Sequence, residues 1–428
     1  MRMKSINKIF IVLLSLLMFV SAFSVTAFAE AMGGQENGEY IYGNYEYSII
    51  SEKEKTCRIT NYFGTETKVS LPSKLNGYTV TEIGELAFEW CYETLESVII
   101  PETVEKIYDC AFYSCGKLTN ITIPDSINSI GWAAFMCTGY YNDYSNWKNS
   151  VLYIGNHLIE ANENIAGTYT IKNGTKTIAD SAFQWCNVTE VNFPDSVTSI
   201  GYSAFYGCNA LSSVTFGDAL TTIGKSAFAL CSSLETVTLP ARVSYIAKDA
   251  FYTYDDNTDE EIYKTIKSYS GTCAEIYAKE NGHIFVSLGG APKNYTGLYK
   301  LGDTWCYFEN GMVNYNYTGL VKHTNGIWYY IENGILDWSY SGLWKHNGTW
   351  YYVQKGQINW KFTGLVKHTN GIWYYVKGAK INWGYTGLVK HNTGSWFYVQ
   401  KGQINFSKTG LVKHTNGTWY YVQNGKLN

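Results

Sequence analysis

The sequence predicts a repeat protein built from two consecutive solenoids, and three observations predict it. An isoleucine, a short gap, an Ala-Phe pair and a cysteine recur along the first half, with intervals between the isoleucines of 24, 23, 48, 22, 23 and 23 residues. A Gly-Leu pair recurs along the last third at 22, 23, 22, 23 and 23 residues. The charge divides at the same place: from Tyr295 onward there are 13 lysines, no arginine and four acids. That is +9, and it leaves −12 for the rest of a chain whose formal charge is −3. Periods of about 20–50 residues mark architectures whose units bury their apolar faces only against neighbours. The expected fold is a solenoid with one β-strand and a short helix or turn per roughly 23-residue repeat, followed by a β-hairpin solenoid of six 22–23-residue repeats.

The chain has 428 residues, 17% aromatic and only 16% charged, with 38 tyrosines and 14 tryptophans. Such a chain coheres through aromatic surface more than through ion pairs. Residues 1–29 read as a secretory signal: Arg2, Lys4 and Lys8 precede an apolar run from Ile9 to Val20, and Ala27-Phe28-Ala29 is a small-x-small cleavage pattern. The run is shorter than the roughly 18–20 apolar residues of a membrane anchor. Export, with no membrane contact after cleavage, is the expectation.

The first array runs through Ile83…Ala87-Phe88, Ile107…Ala111-Phe112, Ile130…Ala134-Phe135, Ile178…Ala182-Phe183, Ile200…Ala204-Phe205, Ile223…Ala227-Phe228 and Ile246…Ala250-Phe251. Each unit carries a short alternating strand such as Leu234-Glu-Thr-Val237-Thr-Leu239-Pro240. A leucine-rich-repeat solenoid follows. Cys91, Cys115, Cys186, Cys208 and Cys231 each stand three residues after an Ala-Phe pair, so they are expected as a ladder of buried free thiols. Cys57, Cys110, Cys273 and Cys306 stay unassigned. The recurring pattern L-x-x-V-x-I-P…I-G-x-x-A-F-x-x-C resembles the BspA-like leucine-rich repeat of bacterial surface proteins. The resemblance implies adhesion or protein–protein contact at a cell surface.

Along the chain, 30–71 is expected as an N-terminal linker and β cap, 72–261 as the repeats, 262–289 as a C-terminal cap with a short helix, and 290–294 as a linker. The 48-residue interval holds an aromatic insertion at 138–167. There a hairpin, Val151–Ile154 and His157–Glu160 around Gly155-Asn156, either replaces a repeat or belongs to a binding loop. Tyr141, Tyr144 and Trp147 are the candidate contacts to a protein partner.

Residues 295–428 form the second array. A typical unit runs Thr363-Gly-Leu-Val-Lys-His-Thr-Asn-Gly371-Ile-Trp373-Tyr-Tyr-Val. Its Asn-Gly step reads as a tight turn, which makes each unit a two-stranded hairpin that must stack to be stable. These units resemble the cell-wall-binding repeats of the choline-binding and glucan-binding superfamily. In choline-binding members the resemblance implies an aromatic cage for a quaternary ammonium, one wall being a tryptophan after the first glycine. Leu298, Leu320, Leu343, Leu365, Leu388 and Leu411 stand there instead, which directs the expectation toward a wall glycan or teichoic acid. Candidate ligand residues are Trp328, Tyr330, Trp338, Trp350, Tyr352, Trp360, Trp373, Tyr375, Trp383, Trp396 and Trp419. The Lys-His pairs, such as Lys367-His368, lack metal-ligand spacing and are read as exposed strand residues that become positive below about pH 6.5.

No hydrolase, metalloprotease, Walker or Rossmann pattern occurs. The acidic run from Asp255 to Glu261 lacks the ligand alternation of a calcium loop. No cofactor, metal or nucleic acid is indicated. The expected function is a non-catalytic, adhesin-like surface protein held on wall polymer by the second array and presenting the first to a protein. Alternatives are a freely secreted glycan binder and a non-catalytic partner of a wall hydrolase.

Overall fold

The computed structural model describes residues 39–255, 258 and 260–427. The expected signal segment, and Asp256 and Asp259 of the acidic run, lie outside the described residues. The chain divides into two compact units, one ending at Asn146 and the other beginning at Trp147. Both contain stretches of the first array, and the second also contains the whole hairpin array.

In the first unit, strands Glu39–Tyr42, Tyr45–Ser51 and Thr56–Tyr62 form an antiparallel meander. Its last strand pairs in parallel with Tyr78–Ile83, which begins the repeats. From there the isoleucines stack in register, Ile83 on Ile107 and Ile107 on Ile130. A second short sheet aligns Val69, Val98 and Ile121. The second unit repeats this arrangement: Ile178, Ile200, Ile223 and Ile246 are in register on one side, and Tyr169, Val191 and Val214 on the other. The hairpin Val151–Ile154 and His157–Ala161 forms as expected. Its second strand pairs in parallel with Thr177–Ile178, so it occupies the place of a repeat strand.

Between the two edges lies a column of phenylalanines. Phe183 and Phe205 stack at 4.8 Å, Phe205 and Phe228 at 5.1 Å, and Phe228 and Phe251 at 5.4 Å. In the first unit Phe88, Phe112 and Phe135 stack at 4.6 and 5.3 Å. Tyr62 covers the start of that column, and Tyr277, from helix Cys273–Glu280, covers the end of the other.

The turn that delivers each phenylalanine is unusual. The residue before every Ala-Phe pair has positive φ: Leu86 at 56°, Cys110 at 55°, Ala133 at 55°, Ser181 at 57°, Ser203 at 51°, Ser226 at 55° and Asp249 at 62°. A left-handed backbone costs a non-glycine residue about 1–2 kcal/mol. Bonds between repeats hold it in place. The N–H of Ser203 donates to the carbonyl of Lys225 at 2.9 Å, and that of Phe205 to Ala227 at 2.7 Å. The turn is thus a third hydrogen-bonded edge, assembled only when a neighbouring repeat is present.

All ten cysteines are free thiols, and the ladder positions are buried. Ladder thiols donate to phenylalanine carbonyls of the preceding repeat: Cys115 to Phe88 at 3.3 Å, Cys208 to Phe183 at 3.0 Å and Cys231 to Phe205 at 3.2 Å. Burial pushes the thiols of Cys57 and Cys91 up to about 11, and those of Cys110, Cys231 and Cys306 up to about 12. Thiolate, the reactive form, is therefore scarce at neutral pH.

Two outcomes are expected. Phe205→Ala, which opens the middle of the column, lowers stability by about 3–5 kcal/mol, read from the urea unfolding midpoint. A thiol reagent at pH 7.5 labels only the partly exposed Cys137 and Cys273 in the folded chain, and all ten cysteines once urea unfolds it.

Candidate functional site

Four of the six hairpin units start from an arch. In the first, second, third and fifth units a tyrosine two residues before the Gly-Leu pair folds over the glycine and donates to the leucine carbonyl. The bonds are Tyr295 to Leu298 at 2.9 Å, Tyr317 to Leu320 at 3.0 Å, Tyr340 to Leu343 at 3.0 Å and Tyr385 to Leu388 at 2.9 Å. A Cβ on Gly319 or Gly387 would meet that tyrosine's Oη at 3.2 or 3.1 Å, at backbone φ of 159° and 154°. Any larger residue there would push the tyrosine hydroxyl back by a few tenths of an ångström.

The strands then alternate faces. Leu320 lies opposite Tyr330, and Val321 opposite Tyr329. Leu320, Trp328 and Tyr330 point to the following hairpin, where they pack with Val353 and Ile358. Tyr329 and Ile331 point to the preceding one, against Leu298 and Trp305. The leucines are therefore core. Leu298 to Leu388 are all buried, whereas Leu411, in the last unit, is 62% exposed.

Of the expected ligand residues, Tyr330 is buried, and Tyr352 and Tyr375 are half-buried. All three pack toward the following hairpin, their rings meeting Tyr340, Phe362 and Tyr385 at 3.9, 4.0 and 4.5 Å. Their neighbours on the other face, Tyr329 and Tyr351, are half-buried and Tyr374 is buried, and each meets a half-exposed tryptophan of its own unit edge to face, Trp338, Trp360 and Trp383.

Around these tyrosines, or the equivalent Phe397, the rings link into a quartet in three of four successive units. In the best-formed one, Trp350 meets His368 at 4.9 Å, His368 meets Tyr374 at 6.2 Å, and Tyr374 meets Trp383 at 5.7 Å, all nearly edge to face. Trp305, His323, Tyr329 and Trp338 repeat it at 5.2, 6.2 and 5.8 Å. Trp373, His391, Phe397 and Phe406 form a third. At the equivalent place in the third unit the rings are arranged as two pairs, Trp328 with His346 and Tyr351 with Trp360. Each quartet draws its first tryptophan from one hairpin and its other rings from the next. Edge-to-face pairs contribute about 0.5–1.5 kcal/mol each beyond burial, so the quartets stiffen the stack as well as present ring faces. Trp338, Trp360 and Trp383 are 49%, 49% and 48% exposed. Trp396 packs on His414, and Trp419 stands exposed in the last unit.

The histidines also differ from expectation. They are half-buried between two aromatic rings. The Nδ1 of His323, His368, His391 and His414 accepts the backbone N–H two residues on, at 3.2–3.3 Å. Charge at the quartet rim comes from lysines: Lys322, Lys345, Lys367, Lys390 and Lys413 are exposed, each opposite a tryptophan on the neighbouring strand.

Of the insertion aromatics, Tyr144 is 83% exposed and Tyr141 lies on the short helix Gly139–Asn142. Trp147 opens the second unit in strand Trp147–Lys148. No group of three or more histidine, cysteine or acidic side chains suited to a metal occurs among the described residues. No helix among them is long and apolar enough to cross a membrane.

Comparison with known families follows this division. Residues 65–178 and 176–275 match the BspA type leucine-rich repeat region. Residues 316–337, 339–359, 361–382, 384–405 and 407–428 match the choline-binding repeat. No curated protein is a significant match. Among solved structures, a leucine-rich cell surface protein from Faecalibacterium prausnitzii is 21% identical, over 60% of this chain and 96% of its own, with a TM-score of 0.29. A leucine-rich repeat protein of T. pallidum is 24% identical, over 45% and 88%, at 0.28. The pneumococcal vaccine antigen PcpA is 13% identical, over 59% and 99%, at 0.23.

The inward leucines generate a prediction. Leu343→Trp, which places an indole where choline cages have one, overpacks a filled core and lowers stability by about 1–3 kcal/mol. A melting curve gives the loss, and an unshifted emission maximum shows that no exposed indole was gained.

Proposed function

The chain joins BspA-type leucine-rich repeats to choline-binding repeats, and from that pairing we propose a non-catalytic, exported surface protein held non-covalently on a cell-wall polymer. The observation that carries the proposal is the row of ring quartets. Each is built across two hairpins and rimmed by a lysine, so a polymer with one aromatic-binding group and one anionic group per unit meets the same environment several times. Repeated weak contacts on one chain multiply into firm retention. The solenoid, acidic where the array is basic, is then presented to a protein partner, with Tyr141, Tyr144 and Trp147 as the candidate contacts.

For the polymer, the family match favours a choline-bearing teichoic acid, whose quaternary ammonium is attracted to ring faces and whose phosphates suit the lysines. A wall glycan is the second reading. It is favoured by the leucines that stand where a cage tryptophan would, and by flat half-exposed indoles suited to sugar rings.

The experiment is retention of the full chain on purified walls. Trp338, Trp360 and Trp383 changed together to alanine should reduce retention about tenfold or more, since aromatic contacts of about 1–3 kcal/mol are lost at each site, while the melting temperature holds. Free choline releases the parent protein if the polymer is choline-bearing, and oligosaccharide releases it if it is glycan. Unchanged retention of the triple variant would sink the proposal.

A further inference from the structure

A groove of about 700 Å³ opens in the second unit where the late solenoid repeats meet the first hairpins. Its volume is in the range of small-ligand sites, about 300–1,000 Å³. Arg242 and Ser244 stand on the solenoid wall, and Glu332, Asp337 and Trp338 on the hairpin wall. The walls are locked together. Tyr315 Oη donates to the carbonyl of Ala241 at 2.8 Å, and the N–H of Val313 to Gly271 at 2.8 Å, around a core of Ala241, Leu301, Phe308 and Val313. The groove is therefore preformed.

Its chemistry departs from the repeat. In three other units the end of the second strand is hydrogen-bonded to an asparagine five residues on. Asn314 Nδ2 donates to Glu309, Asn359 Nδ2 to Gln354 and Asn405 Nδ2 to Gln400, each at 2.7 Å. In the groove the same two places hold Glu332 and Asp337, two carboxyl groups within hydrogen-bond reach of each other where the other units have an amide donor. Burial, and then the charge of Asp337, raise the Glu332 carboxyl above its ordinary range. Ser339 satisfies one oxygen of Asp337, through its N–H at 2.8 Å and its Oγ at 2.6 Å. Arg242 is half-buried and forms no ion pair within 4.0 Å among the described residues. The groove thus offers paired acceptors and a guanidinium beside a half-exposed indole.

We propose that this groove is a single-copy site for a saccharide unit that carries a free primary ammonium group. The Trp338 ring stacks on the sugar. The ammonium supplies to Glu332 and Asp337 the N–H donors that asparagine supplies in the other units. Arg242 and Ser244 bond the hydroxyls. A quaternary ammonium has no N–H to donate and is not the ligand expected here. The site shares Trp338 with the first quartet but needs solenoid residues, so it occurs once along the array and does not rest on the polymer proposed for the quartets.

The test is calorimetry on the full chain with a glucosamine trimer and the N-acetylglucosamine trimer, which has the same rings without the ammonium. One glucosamine trimer should bind per chain, at least about tenfold tighter than the acetylated one, because charge-assisted hydrogen bonds of about 1.5–3 kcal/mol separate them. Glu332→Gln with Asp337→Asn installs the pair already used at Gln354 and Asn359. It should keep the parent melting temperature and abolish the preference. Equal binding of the two trimers, several trimers per chain, displacement by choline, or an unchanged preference in the double variant would each overturn the site. Loss of wall retention alone would count against the polymer and leave this groove standing.

Discussion

Stacking of each repeat on the next is the constraint from which the rest of the structure follows. A unit of about 23 residues cannot enclose a core, so its apolar side chains are buried only by equivalent side chains one repeat away. In the solenoid this places phenylalanine over phenylalanine and isoleucine beside isoleucine. It also holds residues such as Leu86, Cys110, Ser181 and Ser203 in a left-handed conformation, because the bonds that compensate that strain come from the neighbouring repeat. The free thiols follow the same logic. A small side chain fits beside the phenylalanine column, and its S–H finds a carbonyl in the repeat before.

The hairpin array meets the constraint differently. Its strands have two faces, and both are covered, one by the hairpin before and one by the hairpin after. Alternation along Trp-Tyr-Tyr-Val therefore divides the aromatics. The second tyrosine packs toward the next interface, and the first joins a ring cluster that ends on a half-exposed tryptophan. The leucine of the sixth unit, Leu411, is exposed. Binding surface and structural core are thus made from one motif, and an outer quartet exists only between two units.

Much of this was legible in the residues. The two periods, the inserted hairpin, the closing helix and the buried thiols rest on spacing or on short-range turn and cap signals, which act within one repeat. Three details were not. The Asn-Gly step between the long strands is a tight turn only at Asn347-Gly348, where both φ are positive. In the second, fourth, fifth and sixth units the chain makes a wider loop, closed by bonds such as His323 N–H to Ile327 at 2.9 Å. The tight turn falls later, as at Asn333-Gly334, and leads into a third short strand that the two-stranded reading lacked. The depth of each tyrosine was not legible either, because it depends on which hairpin covers the ring: Tyr330 is buried, whereas Tyr352 and Tyr375 are half-buried.

The sequence by itself determined that this is a protein of two stacked arrays, one acidic and one basic, because period, composition and charge are properties of the chain. Tertiary structure alone decided which rings are core and which are surface, since that depends on contacts between units 22–23 residues apart. It also placed Arg242 across a groove from Glu332 and Asp337, residues about ninety positions away in the chain. No local pattern encodes that meeting. It arises because the last solenoid repeats and the first hairpins, like every other pair of neighbours here, can bury their apolar faces only against each other.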